Sequence, residues 1–327
     1  MKSHSAIVVT GAAGFIASST TELLLRQNKW VIGIDNLNDS YSLRLKRQRL
    51  AQLKTYGKKF NFFKADIQDL RSLRNIFKQV RPQAVIHLAA RAGVRYSLEN
   101  PFVYEATNVL GTLNILEMCK EYSVKKFVLA STSSLYAHEA LPFREDAAVN
   151  TPISPYAATK KAAEALCYTY HYLHGIDMTV FRYFTVYGPA GRPDMSYFKF
   201  IQQIAGGKTV SIYGDGRQER DFTYVSDIAR GTVLGLKNVG YRVINLGGGK
   251  RYRLLELIHL IEKYTGKKAR LKFYPENKTD MRNTWADNSR ARRLLGWRPQ
   301  VSLEEGVRQT VEWHQQNKQW LESVSLG

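Results

Sequence analysis

The sequence is short of cysteine, of acidic residues and of long apolar runs. Its two cysteines, Cys119 and Cys167, both lie inside apolar helical patterns. Two such thiols make no disulfide framework and fit buried, reduced side chains in a cytoplasmic protein. Acidic residues number 28 against 48 Lys and Arg, for a formal net charge of +20. No apolar stretch approaches the ~20 residues that cross a bilayer, so no membrane partner is expected. Met1–Ser5 carry no secretory n-region, h-region and cleavage site. The seven histidines are scattered. His171 and His174 can share a helix face, but no third ligand accompanies them, and no metal is expected.

The 327 residues are 44% hydrophobic, enough for a substantial core and about two domains. No long linker, repeat or low-complexity tract interrupts them. Much of the positive charge falls in residues 44–59, which lack any acid, and in residues 250–298. A basic surface can recruit nucleic acid or any other anion. The plainer reading is a solvated surface that steers a small polyanionic substrate, with no nucleic-acid partner.

Ser5–Thr10 reads as a buried parallel strand. Gly11-Ala12-Ala13-Gly14-Phe15-Ile16-Ala17 follows, opening a helix to about Gln27, and a second strand, Trp30–Ile34, ends at Asp35. Gly11 permits the tight turn, Gly14 lets a pyrophosphate approach a helix N-terminus, and Ala17 packs helix on strand. Asp35 can bind a ribose diol and would repel a 2′-phosphate, which favours NAD over NADP. Alternation of strand and helix continues. The strand Phe60–Lys64 ends near Asp66-Ile67, the expected adenine contact, and the strand Ala84–Leu88 runs into the small residues Ala89 and Ala90. Lys126–Ala130 is a further strand, ending at Ser131-Thr132-Ser133-Ser134. The fold class is α/β, a doubly wound parallel sheet with a smaller mixed α/β domain. Its sites belong at the C-terminal ends of the strands, which favours Thr132 as a catalytic hydroxyl over an ordinary turn residue.

Tyr156-Ala157-Ala158-Thr159-Lys160 stands on the next helix. Residues four apart share a helix face. An ammonium ~4 Å from a phenol is worth about 4 kcal/mol at an effective dielectric near 20. That would bring a tyrosine from its usual pKa of about 10 towards the range where a general base works. Lys160 is therefore expected to lower the pKa of Tyr156.

Together these residues resemble the extended short-chain dehydrogenase/reductase superfamily and, within it, the nucleotide-sugar 4-epimerases. The likeness is carried by Gly11–Ala17, Asp35, His87–Ala90, Asn108, Ser131–Ser133, Tyr156, Lys160, Arg182–Pro189 and Arg220–Val225. Ala92–Pro101 and Gly191–Met195 are most similar to UDP-glucuronate 4-epimerases. Ala17 and Ala137 depart from that pattern, which usually has glycine at both places, but neither removes a reacting group. The resemblance implies NAD held by Gly11, Gly14, Phe15, Ile16, Asp35, Asn36, Asp66, Ile67, Leu88, Ala89, Ala90, Asn108, Tyr156, Lys160 and Tyr183. It implies a hydride shuttle with Thr132, Tyr156 and Lys160 as catalytic residues. Substrate contacts are expected from Gly93, Val94, Arg95, Thr132, Ser133, Ser134, Thr185, Arg192, Tyr213, Arg220 and Asp280.

Ser133-Ser134 stand where the related dehydratases and decarboxylases carry a carboxylate, which points to simple epimerisation. Arg192 offers a planar fork to a uronate carboxylate. Arg220 is expected at the pyrophosphate, Asp280 at the uridine ribose and Tyr213 on the uracil, with surface ion pair, loop acid and core tyrosine as the alternatives. Arg95 belongs near the sugar or pairs with Glu99. Alternative activities are a UDP-glucose or UDP-N-acetylglucosamine 4-epimerase, for which the small Thr284 leaves room, then a UDP-glucuronate decarboxylase or a non-catalytic binding member. Residues 1–188, with a return segment near 224–248, form the expected NAD-binding domain, and 189–223 with 249–327 the sugar-nucleotide domain. A homodimer through helices 103–122 and 156–174 is also implied.

Overall fold

A computed structural model describes residues 6–276, 279, 281–321 and 324. Strands β1 (Ile7–Thr10), β2 (Val31–Asp35), β3 (Phe60–Lys64), β4 (Ala84–His87), β5 (Lys126–Thr132) and β6 (Asp177–Tyr183) join a seventh, Tyr241–Leu246, in one sheet. Across the sheet the order is the seventh strand, β6, β5, β4, β1, β2, β3, and every pairing is parallel. The chain winds outward from β1 to β3, then returns to β4 on the other side of β1. The gap between the C-terminal ends of β1 and β4 is thus the switch point where such sheets bind ligands.

Helices cover both faces, so alternate residues of one strand feed different cores. Val9 joins Phe15, Ile86, Val128, Phe181 and Trp297 on one face. Val8 joins Phe77, Val85, Leu116, Phe127 and both cysteines on the other. This double burial explains the unbroken apolar run of β1. A separate core gathers Phe198, Ile201, Ile212, Leu257, Ile258, Val307 and Val311. It is built on the helices Ser196–Ala205, Leu254–Thr265 and Leu303–Gln316 and the parallel pair Thr209–Tyr213 with Arg270–Tyr274.

β5 runs two residues further than the sequence suggested, because Ser131 and Thr132 stay in register with Arg182 and Tyr183 of β6. The helix Pro155–His174 follows a loop and starts at Ser154, whose side chain accepts from the Ala157 N–H at 3.2 Å. Proline at its first position and Gly175 in the left-handed conformation after its end complete sharp boundaries. Between the helices Pro101–Tyr104 and Gly111–Glu121 lies a π-helical stretch, Glu105–Leu110, which carries Asn108.

Candidate active site

Gly11 has φ +71, and a Cβ there would lie 2.9 Å from the backbone of Ala89. At Gly14 a Cβ would lie 2.8 Å from the Gly11 carbonyl. The turn between β1 and the helix Phe15–Arg26 must therefore be bare backbone. That helix begins at Gly14 with no side-chain cap and no acid in its first turn, an arrangement suited to an anion. Asp35 closes the turn from β2: its carboxylate accepts from the N–H groups of Ala13 at 3.1 Å and Leu37 at 2.8 Å. Asn36 donates to Asp66 at 2.8 Å, linking the ends of β2 and β3. Ile67 is buried in the core, where it fills the space beside Gly111. These surroundings fit a dinucleotide.

His87, at the end of β4, has no local sequence signal that marks it as a site residue. It is fully enclosed, with Nδ1 2.7 Å from the Thr10 hydroxyl and Nε2 3.1 Å from the Thr112 hydroxyl. Thr10 in turn accepts from the Ala89 N–H, so this chain fixes Leu88-Ala89-Ala90 beside Gly11. Burial and the Lys160 charge push the imidazole down to about 3. Asn108 plays a similar part. Its amide bonds both the N–H and the carbonyl of Arg91, and it donates to Thr159 at 3.1 Å. It ties the loop after β4 to the helix bearing Tyr156 and leaves little of itself for a cofactor. Tyr183 turns its hydroxyl into the core, 2.8 Å from Thr232.

Thr132 ends β5 with its hydroxyl against the Tyr156 phenol. Burial raises the phenol above its ordinary value of 10, while the Thr132 hydrogen bond and the Arg192 charge pull it down. A cation that helical spacing does not reveal, the Arg192 guanidinium, therefore acts on Tyr156. Lys160 lies one turn deeper, and burial lowers its own pKa to about 8 against the pull of Glu164. Glu164 is the next residue on this face. Its carboxylate accepts from Ser131 at 2.6 Å and from Arg182 at 2.9 and 2.8 Å. The spacing Tyr156, Lys160, Glu164 is visible in the sequence as a repeat of four.

Arg192 does reach the site. A Cβ on Gly93 (φ +117) would lie 3.8 Å from its Nη2. Its fork is not open, however: Nε and Nη2 donate to Asp194 at 3.1 and 2.5 Å, and Nη2 also to the Ala92 carbonyl at 3.2 Å. Tyr104 stands between these groups. Its hydroxyl donates to the Gly93 carbonyl at 2.7 Å, and its ring meets Tyr156 edge-on with centroids 6.0 Å apart. Val94 opens the short helix Val94–Glu99 that follows.

Two cations of the basic run are buried, contrary to the solvated surface expected there. Arg49 donates to the carbonyls of Ala13, Ala190 and Gly191, joining the glycine turn to the loop that carries Arg192. Lys46 donates to Asn38 beside Asp35, and burial with the charges of Arg49, Arg91 and Arg192 lowers it to about 8. The sequence signal is that Lys46 and Arg49, three apart, share the face of the helix Leu43–Lys54 that also carries Leu45, Leu50 and Leu53.

The remaining expected substrate residues lie around this centre or across from it. Ser133 and Ser134 open a 3-10 turn, Ser134 donating its N–H to Thr132. Thr185 begins a short strand paired with Phe222–Tyr224. The Arg95 guanidinium lies 4.3 Å over the Tyr213 ring, which also stacks on Tyr274. Both partners occupy ring surface expected to meet uracil. Arg220 donates to the Glu219 and Arg282 carbonyls. Asp280 lies outside the described residues. Thr284 is buried and its hydroxyl accepts from the Asp221 N–H at 3.1 Å.

The model of the GDP-mannose 4,6 dehydratase family matches residues 8–310. A UDP-glucuronate 4-epimerase from Thermodesulfobacterium geofontis is 53% identical over 320 residues, 98% of this chain and 99% of that protein. The crystal structure of UDP-glucuronic acid 4-epimerase from Bacillus cereus in complex with UDP-glucuronic acid and NAD superposes with a TM-score of 0.90 at 38% identity, covering 95% of this chain and 99% of that one. The UDP-glucose 4-epimerase of Thermotoga maritima with UDP-glucose gives 0.88 at 33% identity over 96% and 99%.

Proposed function

This chain belongs to the family described as GDP-mannose 4,6 dehydratase, and on that premise we propose that it is an NAD-dependent UDP-sugar 4-epimerase interconverting UDP-glucuronate and UDP-galacturonate. The observation that carries the reading is the meeting of Thr132, Tyr156 and Arg192 beyond the C-terminal end of β5, with Ser133 and Ser134 following where no carboxylate stands.

Bound NAD supplies the acceptor and then the donor of the hydride at the sugar C4. The bare turn at Gly11 and Gly14, the helix start after it, and Asp35 would hold it. Tyr156 removes the C4 hydroxyl proton as the C4–H bond breaks, and Thr132 bridges that transfer through its hydroxyl. Arg192 favours the phenolate and lies where a uronate carboxylate would reach it. Lys160, whose charge Glu164 supports, orients the nicotinamide ribose. Once the 4-keto sugar has turned over, so that the opposite face of its C4 carbonyl meets the returning hydride, Tyr156 gives the proton back to the C4 oxygen. Holding the carboxylate in place also disfavours carbon dioxide loss from the β-keto acid.

Residues 1–188 with the return segment near 224–248 form the NAD-binding part in this reading, and 189–223 with 249–327 the sugar-nucleotide part. The separate core of Phe198, Ile212, Leu257 and Val311 supports that division, as does the pairing of Tyr241–Leu246 with β6. The helices after β4 and after Ser154 expose Phe102, Tyr172 and Leu173, which suits a homodimer seam.

Incubation with UDP-glucuronate, UDP-glucose and UDP-N-acetylglucosamine, with chromatographic resolution of products, tests the assignment. UDP-galacturonate from the first substrate without carbon dioxide is expected. A UDP-pentose would make the protein a decarboxylase, and turnover of neutral sugars alone would remove the carboxylate site.

A further inference from the structure

The pairing of Arg192 with Asp194 has a consequence for how a uronate is gripped. A guanidinium presents two edges to carboxylates: a side edge made of Nε and Nη2, and an end edge made of Nη1 and Nη2. Asp194 fills the side edge with both of its oxygens, at 3.1 and 2.5 Å. The second Nη2 hydrogen goes to the Ala92 carbonyl. Nη1 alone has no hydrogen-bond partner among the described residues.

The backbone beneath is also fixed. Arg49 holds the carbonyls of Ala190 and Gly191, and Ala190 sits in the left-handed region at φ +51. The Asp194 carboxylate in turn bonds no group except Arg192 among the described residues. The pair is half-buried, with 23% and 31% of the two side chains exposed, and the Arg192 charge acts on Tyr156.

Resting on the uronate reading above, we propose that Asp194 is a specificity-setting positioning residue. By occupying the side edge of Arg192 it leaves a single Nη1 group for the substrate carboxylate. The keto sugar must let go of its carboxylate contact, turn over and bind again. A two-toothed contact to an uncompensated arginine would hold one face and stall that turn. A one-toothed contact to an arginine already paired with Asp194 selects an acidic sugar and still releases it.

The test is Asp194→Asn, with Asp194→Ser as a second variant, each assayed as purified holoenzyme. Freeing the side edge should lower the KM for UDP-glucuronate several-fold. It should also lower kcat about tenfold, the scale of one charge-assisted hydrogen bond. The absorbance of reduced nicotinamide should rise during turnover because the keto sugar is trapped. The affinity for UDP, which has no uronate carboxylate, should stay unchanged. A KM that rises, or a kcat and KM that both stay at wild-type values in a variant that still binds UDP, overturns the proposal. Failure of the wild-type protein to turn over UDP-glucuronate would sink the uronate reading itself and this inference with it. Wild-type turnover with an indifferent variant sinks the inference alone.

Discussion

Tyr156 shows how a single side chain is tuned by its neighbours. Burial raises its pKa, and the Arg192 charge and the Thr132 hydroxyl oppose that rise. Replacing Arg192 with methionine removes one of the two opposing effects, so the phenol should titrate at higher pH. The acid limb of the kcat profile should then move upward relative to wild type, and an unmoved limb would show that the guanidinium does not act on Tyr156. Tyr156→Phe removes the proton acceptor altogether. It should cost roughly 10²–10⁴ in kcat while leaving UDP-sugar affinity intact, as checked by steady-state kinetics and calorimetry. His87 predicts a stability effect. Its folded-state pKa is pushed down to about 3 from the usual 6.5, so the unfolded chain binds the extra proton between those values. Its contribution is fully present above pH 6.5 and is lost as pH falls towards 3, by up to about 1.4 kcal/mol per pH unit. Urea denaturation across that window should show a shallower slope for His87→Gln than for wild type.

At the level of elements, the helix Pro155–His174 couples to β5 and β6 through one buried ion pair. Glu164 and Arg182 are 4% and 3% exposed, with Ser131 completing the carboxylate and Tyr136 stacking under the guanidinium. Removing one partner leaves charge stranded in the interior. Glu164→Gln should cost about 3–5 kcal/mol, since both Lys160 and Arg182 lose their counter-ion. Arg182→Met added to it should recover part of that loss, and additive single effects in the double-mutant cycle would contradict the coupling. This pair also marks where the sequence stops being readable. The strand, glycine turn, helix, strand and acid order could be read because each step has its own local signature of periodicity, bare backbone or terminal charge. So could the spacing from Tyr156 to Lys160. The partners of those residues could not, because they arrive from distant segments. Arg182 reaches Glu164 from the next strand, and Arg49 reaches Ala190 across 141 positions. Asp194 is only two residues from Arg192, but its occupation of the fork depends on the turn that places them. The pull of Arg192 on Tyr156 is hidden for a related reason, as helical spacing fixes a shared face but not which charges from other segments lie near the hydroxyl.

For the whole molecule, the surplus of positive charge and the exposed apolar helix faces call for different partners. Lys46 and Arg49 show that part of the +20 balance is gathered inside, around the site where a pyrophosphate and a uronate would both arrive. Charge that stays at the surface accelerates anion capture in a salt-dependent way. The apolar faces require a different explanation. Phe102 is 82% exposed and Tyr172 77%, with Leu98, Leu110, Tyr168 and Leu173 also open on the same helical layer. Scattered exposed hydrophobics are ordinary, but several on the helix that carries Tyr156 and on the helical turns between 94 and 110 suit a self-complementary seam, for which a two-fold dimer is the commonest closure. Such a seam would brace the helix that carries Tyr156 and Lys160 from the side opposite the sheet. Light scattering coupled to gel filtration should give twice the chain mass for the wild-type protein. Phe102→Glu with Tyr172→Glu should shift it to the monomer, at a loss of activity larger than the distance of either residue from Tyr156 would suggest. A wild-type monomer, or a double variant that remains dimeric, would place the seam elsewhere. A monomeric variant of full activity would show that the helix is braced by its own sheet alone.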